Sequence, residues 1–280
     1  MSDLANSGDM PRQEVQAHYA EGIEADRLRS GSGRIEFART QEIVSRYLPP
    51  PPAVIFDIGG GPGVYARWLA RRGYEVHLID PVPLHIEQAR GASAQQPDAP
   101  IAGCTVGDAR HLDRADASVD AALLLGPLYH LTERDDRVTA LREAARIVRP
   151  GGVVLAVGIS RFVSTLDGMA HGYLADSAFS RIAWNDLATG QHRNPTNHPA
   201  YFTTAYFHRP TELRDEIEAA GLVHERTLGI EGPAWLADRV GEWWDDPDWR
   251  QQILDALCWI EEEPSLLGAS QHLMAVARKE

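Results

Sequence analysis

The sequence holds only two cysteines, Cys104 and Cys258, in 280 residues. Two cysteines are too few for a disulfide framework or for a metal site built from thiolates. The metalloprotease spacing His-Glu-x-x-His is missing as well, so we predict no metal. No run of roughly 18 apolar residues is present, and the polar N-terminal stretch has no apolar core. We therefore expect no membrane span, no secretory signal and a cytoplasmic protein.

Positively charged residues are also scarce. Lysine and arginine total 27 against 40 aspartates and glutamates, which leaves a formal net charge of −13 at pH 7. An acidic surface repels the phosphates of nucleic acids and of anionic membranes. We therefore expect a small-molecule substrate, no nucleic-acid or membrane partner, and a monomer or homodimer. The length is enough for one large domain with an insertion.

One stretch combines a strand, a glycine turn and a helix. The apolar run Val54–Phe56 predicts a buried strand. The motif Asp57-x-Gly59-x-Gly61-x-Gly63 comes next, and helical spacing follows it. Such a turn lets the backbone approach a ligand closely, because glycine has no Cβ. The dinucleotide pattern Gly-x-Gly-x-x-Gly fails here, since its third position does not hold a glycine.

This motif resembles motif I of the class I S-adenosylmethionine (SAM) methyltransferases, in particular their bacterial branch that acts on small molecules. The turn before the predicted fifth strand, Arg149-Pro150-Gly151-Gly152, is similar to a second pattern of that family. The resemblance covers residues 14–160 and resumes at 210–222. It implies an α/β fold with a doubly wound, seven-stranded, mostly parallel sheet, with SAM as cofactor and S-adenosylhomocysteine as product. A glycine-rich turn in another α/β protein is the alternative.

Acidic residues close three successive predicted strands. Asp57 ends the first strand, Asp80 the second and Asp108 the third, while the fourth strand ends at Gly126. The carboxyl ends of parallel strands line one crevice in an open sheet. We therefore expect these residues to meet at one ligand site.

The resemblance assigns these acids to different parts of SAM. Asp57 would help to hold the methionine ammonium, and Asp80 would accept from the ribose hydroxyls. Asp80 could instead cap the following helix. Asp108 and the backbone of Ala109 would contact the adenine. The other predicted cofactor residues of this core are Gly59, Gly61 and Leu125.

The helical arm before the motif offers two further cofactor contacts. The resemblance implies that Tyr19 covers the sulfonium face and that Arg34 pairs with the methionine carboxylate. For both residues, the alternative is an ordinary helix surface.

Two segments exceed what a minimal SAM-binding fold needs. We divide the chain into a helical arm (1–48), a SAM-binding core (49–160), a lid insertion (161–209) and a C-terminal part of the core (210–280). The last part carries a helical insertion at about 231–264, which contains five tryptophans. Substrate choice resides in loops above a rigid sheet, so we expect the arm and both insertions to form a lid over the crevice.

The sequence offers two candidate bases for catalysis. A histidine can remove a proton from a weak nucleophile near neutral pH. His130 follows the fourth strand, and His208, like the further histidine His171, lies in the lid insertion. The alternative for His130 is that it only packs or shapes the methionine pocket. A thiolate or a free amine would need no base at all.

The resulting prediction is a SAM-dependent methyltransferase that acts on an O, N or S atom of a small, partly aromatic molecule, and a role in secondary metabolism fits it. One alternative is an RNA or protein methyltransferase. The other is a non-catalytic SAM-binding protein.

Overall fold

The first strand of the sheet is the one predicted from the apolar run Val54–Phe56. The computed structural model describes residues 27–196, 198–237 and 240–280. Within these ranges nine strands pair into one sheet. In chain order the strands are β1 Val54–Ile58, β2 Glu75–Asp80, β3 Gly103–Val106, β4 Val119–Leu124, β5 Val148–Ser160, β6 Gln191–His192, β7 Ala205–His208, β8 Val223–Gly229 and β9 His272–Arg278.

Helices connect these strands and build the insertions. In the described part of the chain they are α1 Gly33–Tyr47, α2 Val64–Ala70, α3 Pro83–Ala94, α4 Pro127–His130, α5 Arg134–Ile147, α6 Val163–Ala170, α7 Ser177–Thr189, α8 Pro210–Ala219, α9 Val240–Trp243, α10 Pro247–Ile260 and α11 Pro264–Leu267. Short 3-10 turns lie at Tyr173–Ala175, Pro199–Tyr201 and Gly232–Leu236. No helix of the described ranges is both long and apolar enough to cross a bilayer.

Alternate residues of the central strands enter two cores, one on each face of the sheet. In β1, Ile55 joins the core formed with α1, α2 and α3, whereas Phe56 and Ile58 join the core formed with α5 and α8. Leu123 and Leu124 of β4 divide in the same way. A strand that is buried on both faces has a nearly continuous apolar sequence. This is why these strands could be recognised from the sequence.

The strand order is that of a doubly wound sheet. Strands β3, β2, β1, β4 and β5 are neighbours in that order and run parallel. Strand β9 pairs antiparallel with both β5 and β8 and completes seven strands, which confirms the predicted fold class. The third strand ends at Val106, two residues before Asp108, where the chain forms a bridge with His111.

The lid insertion adds two more strands, β6 and β7, to this sheet. Ile159 of β5 pairs with Phe207 of β7 and also with His272 of β9. A strand has two edges, so β7 lies on the edge opposite β9, beyond the end of β4. The insertion is therefore anchored above the carboxyl ends of the central strands. The strand order of the sheet changes direction between β1 and β4. Ligands bind at such a point in open α/β sheets.

The arm and the second insertion pack against each other. Ile35 of α1 is buried against Val240 and Trp244. Arg39 of α1 is completely buried and pairs with Glu261. These contacts fasten the arm over one side of the crevice.

Candidate functional site

The glycine turn after β1 is held by hydrogen bonds to β2. The amides of Gly59 and Gly60 donate to the Ile79 carbonyl at 2.8 and 3.2 Å. Gly59 and Gly61 have φ angles of 67° and 56°, which residues with a Cβ rarely adopt. A Cβ at Gly60 would stand 2.5 Å from Oδ2 of Asp57. The turn therefore places bare backbone against the end of β1.

A cavity of about 460 Å³ opens above this turn, at the carboxyl ends of β1, β2 and β4. The parallel sheet brings together, around this cavity, side chains that are far apart in the sequence. The predicted site residues that line the cavity are Asp57, Gly59, Gly61, Asp80, Asp108, Ala109, Leu125 and His130.

Asp57 has an unusual environment at the base of this cavity. The residue is only 1% exposed, and its Oδ2 has no hydrogen-bond partner among the described residues. Burial and the neighbouring Asp80 carboxylate raise the pKa of Asp57 to about 7. A buried carboxylate without a partner is costly, so it suits a cation that enters the cavity. The ammonium of SAM meets that requirement.

Asp80 serves both the glycine turn and the cavity. Its Oδ2 accepts from the Gly61 amide at 2.9 Å, and its Oδ1 accepts from the Val82 amide at 2.9 Å and from His85 Nδ1 at 3.0 Å. A carboxylate offers about four acceptor positions, so one position remains for a ribose hydroxyl. The turn-forming role and the predicted ribose contact are therefore compatible.

Asp108 lies at the cavity rim, next to Ala109. Its Oδ1 accepts from the Arg110 amide at 2.9 Å, and its Oδ2 accepts from the Arg110 guanidinium, also at 2.9 Å. Arg110 in turn pairs with Asp136 at 2.7 Å. This network fixes the direction of the carboxylate at the place where the resemblance puts the adenine.

A second cavity, of about 630 Å³, adjoins the first, and Arg27 and Tyr129 line both. The arm, the 161–209 insertion and the 231–264 insertion each contribute to its wall. Both insertions thus contribute aromatic side chains to the wall of a space beside the first cavity. The aromatic residues that line it are Tyr129, Phe179, Tyr201, Phe202, Phe207 and Trp235.

Sequence reasoning missed a polar pair where the two cavities meet. His272, the first residue of β9, lines the second cavity and is 6% exposed. Its Nδ1 donates to Oε1 of Glu231 at 2.6 Å, and Oε2 of Glu231 accepts from Ser270 Oγ at 3.1 Å. The two residues of the pair are 41 positions apart in the chain. No local motif marks either of them, so only the fold brings them together.

The ion pair of Arg27 and Glu36 lies beside the Glu231–His272 pair, which we call the Glu231–His272 dyad. Arg27 donates to both carboxylate oxygens of Glu36 at 2.5 and 2.9 Å, and Oε2 of Glu36 is 3.9 Å from Nδ1 of His272. Burial opposes ionisation of Glu36, but Arg27 and His272 outweigh it and lower the pKa of this carboxyl. Burial also opposes protonation of His272, yet Glu231 and Glu36 raise the pKa of this imidazole. The two carboxylates, Arg27 and His272 thus form one connected polar network.

The two predicted bases occupy different environments. His130 lines the first cavity, and its Nδ1 donates to the Thr204 carbonyl at 3.4 Å. His208 lines neither of the two cavities; it is completely buried, and its Nε2 donates to Glu216 at 3.2 Å. Burial lowers the pKa of His208. The structure therefore places His208 in a buried polar network and not beside a substrate, because Glu216 of α8 holds it there.

Arg34 does not line the cavity in which the cofactor's methionine carboxylate was predicted to contact it. Its guanidinium pairs with Asp245 of the second insertion at 2.5 Å, and Arg34 lines neither cavity. Among the arm residues that the structure describes, Arg27 is the arginine that lines both cavities. Tyr19 lies outside the described residues, so its contact with the sulfonium stays a prediction.

Comparisons with known proteins agree with this geometry. Residues 56–156 match the family described as "Methyltransferase domain". Over 141 residues the chain is 33% identical to the ubiquinone/menaquinone biosynthesis C-methyltransferase UbiE of Caulobacter sp. (strain K31), covering 48% of this chain and 54% of that protein. Over 132 residues it is 33% identical to the methyltransferase GfsG of Streptomyces halstedii, covering 47% of this chain and 46% of that protein. The chain thus spans about half the length of the curated relatives it matches.

The fold has similar solved structures. One is a SAM-dependent methyltransferase of Methanosarcina mazei, with a TM-score of 0.57, 19% identity, and coverage of 85% of this chain and 96% of that one. At this level of identity, the likeness establishes the fold alone.

Proposed function

Because this chain carries a class I SAM-dependent methyltransferase domain, we propose that it transfers a methyl group from SAM to a small, partly aromatic molecule. The observation that carries the proposal is the pair of adjoining cavities, which share Arg27 and Tyr129. The first cavity supplies the acids for the cofactor. The second supplies an aromatic wall for the methyl acceptor.

The residues of the first cavity would hold SAM along its length. Asp57 would pair with the ammonium and Asp80 with the ribose, while Asp108 and Ala109 would face the adenine. Bound SAM supplies a methyl group that is already activated on its sulfonium. The protein then contributes mainly position, because an in-line displacement requires the reacting atoms to be aligned.

The second cavity has the size and chemistry of a small-molecule site. Its volume of about 630 Å³ lies within the range of about 300–1,000 Å³ that such sites occupy. Aromatic side chains in its wall suit a flat, apolar ligand. The net charge of −13 disfavours an RNA acceptor.

Calorimetry and labelled SAM test the two halves of this proposal. We expect SAM and S-adenosylhomocysteine each to bind at one site, and NAD not to bind, because the glycine turn lacks the dinucleotide spacing. With methyl-labelled SAM and fractionated cell extract, we expect the label in the small-molecule fraction. NAD binding without a response to SAM would contradict the cofactor assignment. Label in RNA or protein would favour a macromolecular acceptor, and SAM binding without transfer would favour a non-catalytic role.

Gly60→Ala is expected to weaken SAM binding by roughly tenfold or more. The new Cβ would stand 2.5 Å from Oδ2 of Asp57 and 2.8 Å from Leu78 Cδ1, so the turn must shift in a close-packed region. Gly91→Ala in α3 is the matched control, because a Cβ there meets nothing within 4 Å. Calorimetry compares the two variants, and equal SAM affinity would contradict a role for this turn in binding.

A further inference from the structure

His272 lines the second cavity, and its hydrogen bond to Glu231 occupies only one of its two ring nitrogens. Its Nδ1 is turned toward Glu231 and donates to it at 2.6 Å, while the residue itself lines the cavity wall. Within the described residues, Nε2 makes no hydrogen bond. A carboxylate that accepts from Nδ1 keeps the proton of the neutral ring at that atom, so Nε2 is left to accept another. A general base requires this arrangement.

The carboxylate partner is itself held in place. Oε2 of Glu231 accepts from Ser270 Oγ at 3.1 Å and from the His272 amide at 2.9 Å, and Glu231 is only 1% exposed. The ring and the carboxylate are thus tied to one end of β9. Such a preorganised pair needs little rearrangement when a ligand binds.

The charges around the dyad favour a base over a bound cation. Glu36, Glu231 and His272 place potential metal-ligating atoms within 4.8 Å of one another. Arg27 already pairs with Glu36, however, and His272 pairs with Glu231. Both carboxylates therefore already accept from a neighbouring side chain, and a divalent ion would have to displace these contacts.

The presence of a base also narrows the class of acceptor. A free amine or a thiolate attacks a methyl group without losing a proton first, whereas a neutral hydroxyl is a weak nucleophile that benefits from a base. Tyr129 lines both cavities, and its ring centroid is 6.4 Å from that of His272. The dyad therefore lies close to the junction where an acceptor in the second cavity would meet the cofactor.

We infer that the Glu231–His272 dyad is the general base for a hydroxyl group on a small aromatic acceptor bound in the second cavity. This inference rests on the proposed methyl transfer. The acceptor O–H bond breaks, and its proton moves to Nε2 of His272. The acceptor oxygen forms the new O–CH₃ bond with its electron pair while the S–CH₃ bond of SAM breaks and leaves its pair on sulfur. The products are a methyl ether, S-adenosylhomocysteine and an imidazolium that later releases its proton to solvent.

NMR titration of the histidine-labelled protein tests the dyad directly. The groups that face His272 are Glu231, Glu36, Arg27 and the Tyr129 ring. Because the two carboxylates prevail, we expect the pKa of His272 to lie above that of an unstructured histidine and to fall in Glu231→Gln. We also expect the neutral ring to carry its proton on Nδ1. A neutral ring that is protonated on Nε2, or a pKa that Glu231→Gln leaves unchanged, overturns the inference.

A chromophoric phenol tests the acceptor class. We use 4-nitrophenol with protein that is saturated with S-adenosylhomocysteine, and record the absorbance of the phenolate against pH. The bound phenol is expected to ionise at a lower pH than the free phenol, because the His272 imidazolium stabilises the phenolate. His272→Gln is expected to abolish this shift and to lower the affinity for the probe at least tenfold. His224→Gln is the matched control, since His224 lies in the neighbouring strand β8 and lines neither cavity.

The outcomes separate this inference from the proposed function. No phenol binding up to millimolar concentration, or the same shift in His272→Gln as in the wild type, overturns the hydroxyl acceptor and its base. Both results leave SAM-dependent transfer intact if SAM still binds by calorimetry. Loss of SAM binding in the wild type would instead remove the proposed function itself.

Discussion

Asp57→Asn is expected to weaken SAM binding roughly 10- to 100-fold, since a charged hydrogen-bond partner is worth about 1.5–3 kcal/mol. The same change should stabilise the cofactor-free protein above pH 7. The pKa of Asp57 is about 7, against an ordinary value of 3.8, so the folded state keeps a proton that the unfolded state releases. The free energy of unfolding of the wild type therefore falls by on the order of 4 kcal/mol as the pH rises from 3.8 to about 7. Asparagine does not ionise, so the variant should not lose stability as the pH rises.

Urea unfolding at pH 5 and pH 8, together with calorimetry, measures both effects of Asp57→Asn. The exposed Asp98 supplies the control variant Asp98→Asn, which should match the wild type in stability and in SAM affinity. SAM binding to the wild type near pH 7 should also release protons, because the ammonium favours the charged carboxylate. This release appears as a dependence of the binding enthalpy on the buffer. Identical pH profiles of stability for the wild type and Asp57→Asn would show that Asp57 does not titrate as described.

Arg137→Met is expected to destabilise the fold by about 3–5 kcal/mol, the cost of breaking a buried ion pair from one side. Arg137 of α5 is 1% exposed and donates to Glu216 of α8, which is 2% exposed, at 2.7 Å. Its Nη1 also donates to the carbonyls of Leu131 and Thr132 at 2.8 Å. Methionine fills most of the volume but leaves the Glu216 carboxylate buried without its main partner.

Urea unfolding measures this loss, and a double variant identifies its cause. Arg137→Met combined with Glu216→Leu should recover a large part of the stability, because no buried charge then remains. Arg214→Met, which removes an exposed pair with Asp215, should change stability by less than about 1 kcal/mol. His208→Gln should lower stability and leave SAM affinity unchanged, since His208 lines neither cavity. A stable Arg137→Met protein with altered SAM binding would contradict this structural role.

The sequence by itself was sufficient for the features that depend on neighbouring residues. The apolar run of β1 indicated a buried strand, and the glycines after Asp57 indicated a turn with a bare backbone. The meeting of Asp57, Asp80 and Asp108 also followed, because the ends of parallel strands are brought together by the sheet itself. Local chain geometry and one topological rule were enough for these predictions.

The tertiary structure alone decided which distant side chains become partners. Arg34 and His208 have the residue types that a cofactor or substrate site uses, yet Asp245 and Glu216 hold them elsewhere. His272 has no motif around it, and it becomes a candidate base only because Glu231 lies 2.6 Å away. Such pairings depend on how helices and insertions pack, and distances of a few ångströms between remote residues are not encoded in local spacing. The hydrophobic pattern determined the sheet, whereas the packing of the arm and insertions over it determined the chemistry beside the cofactor cavity.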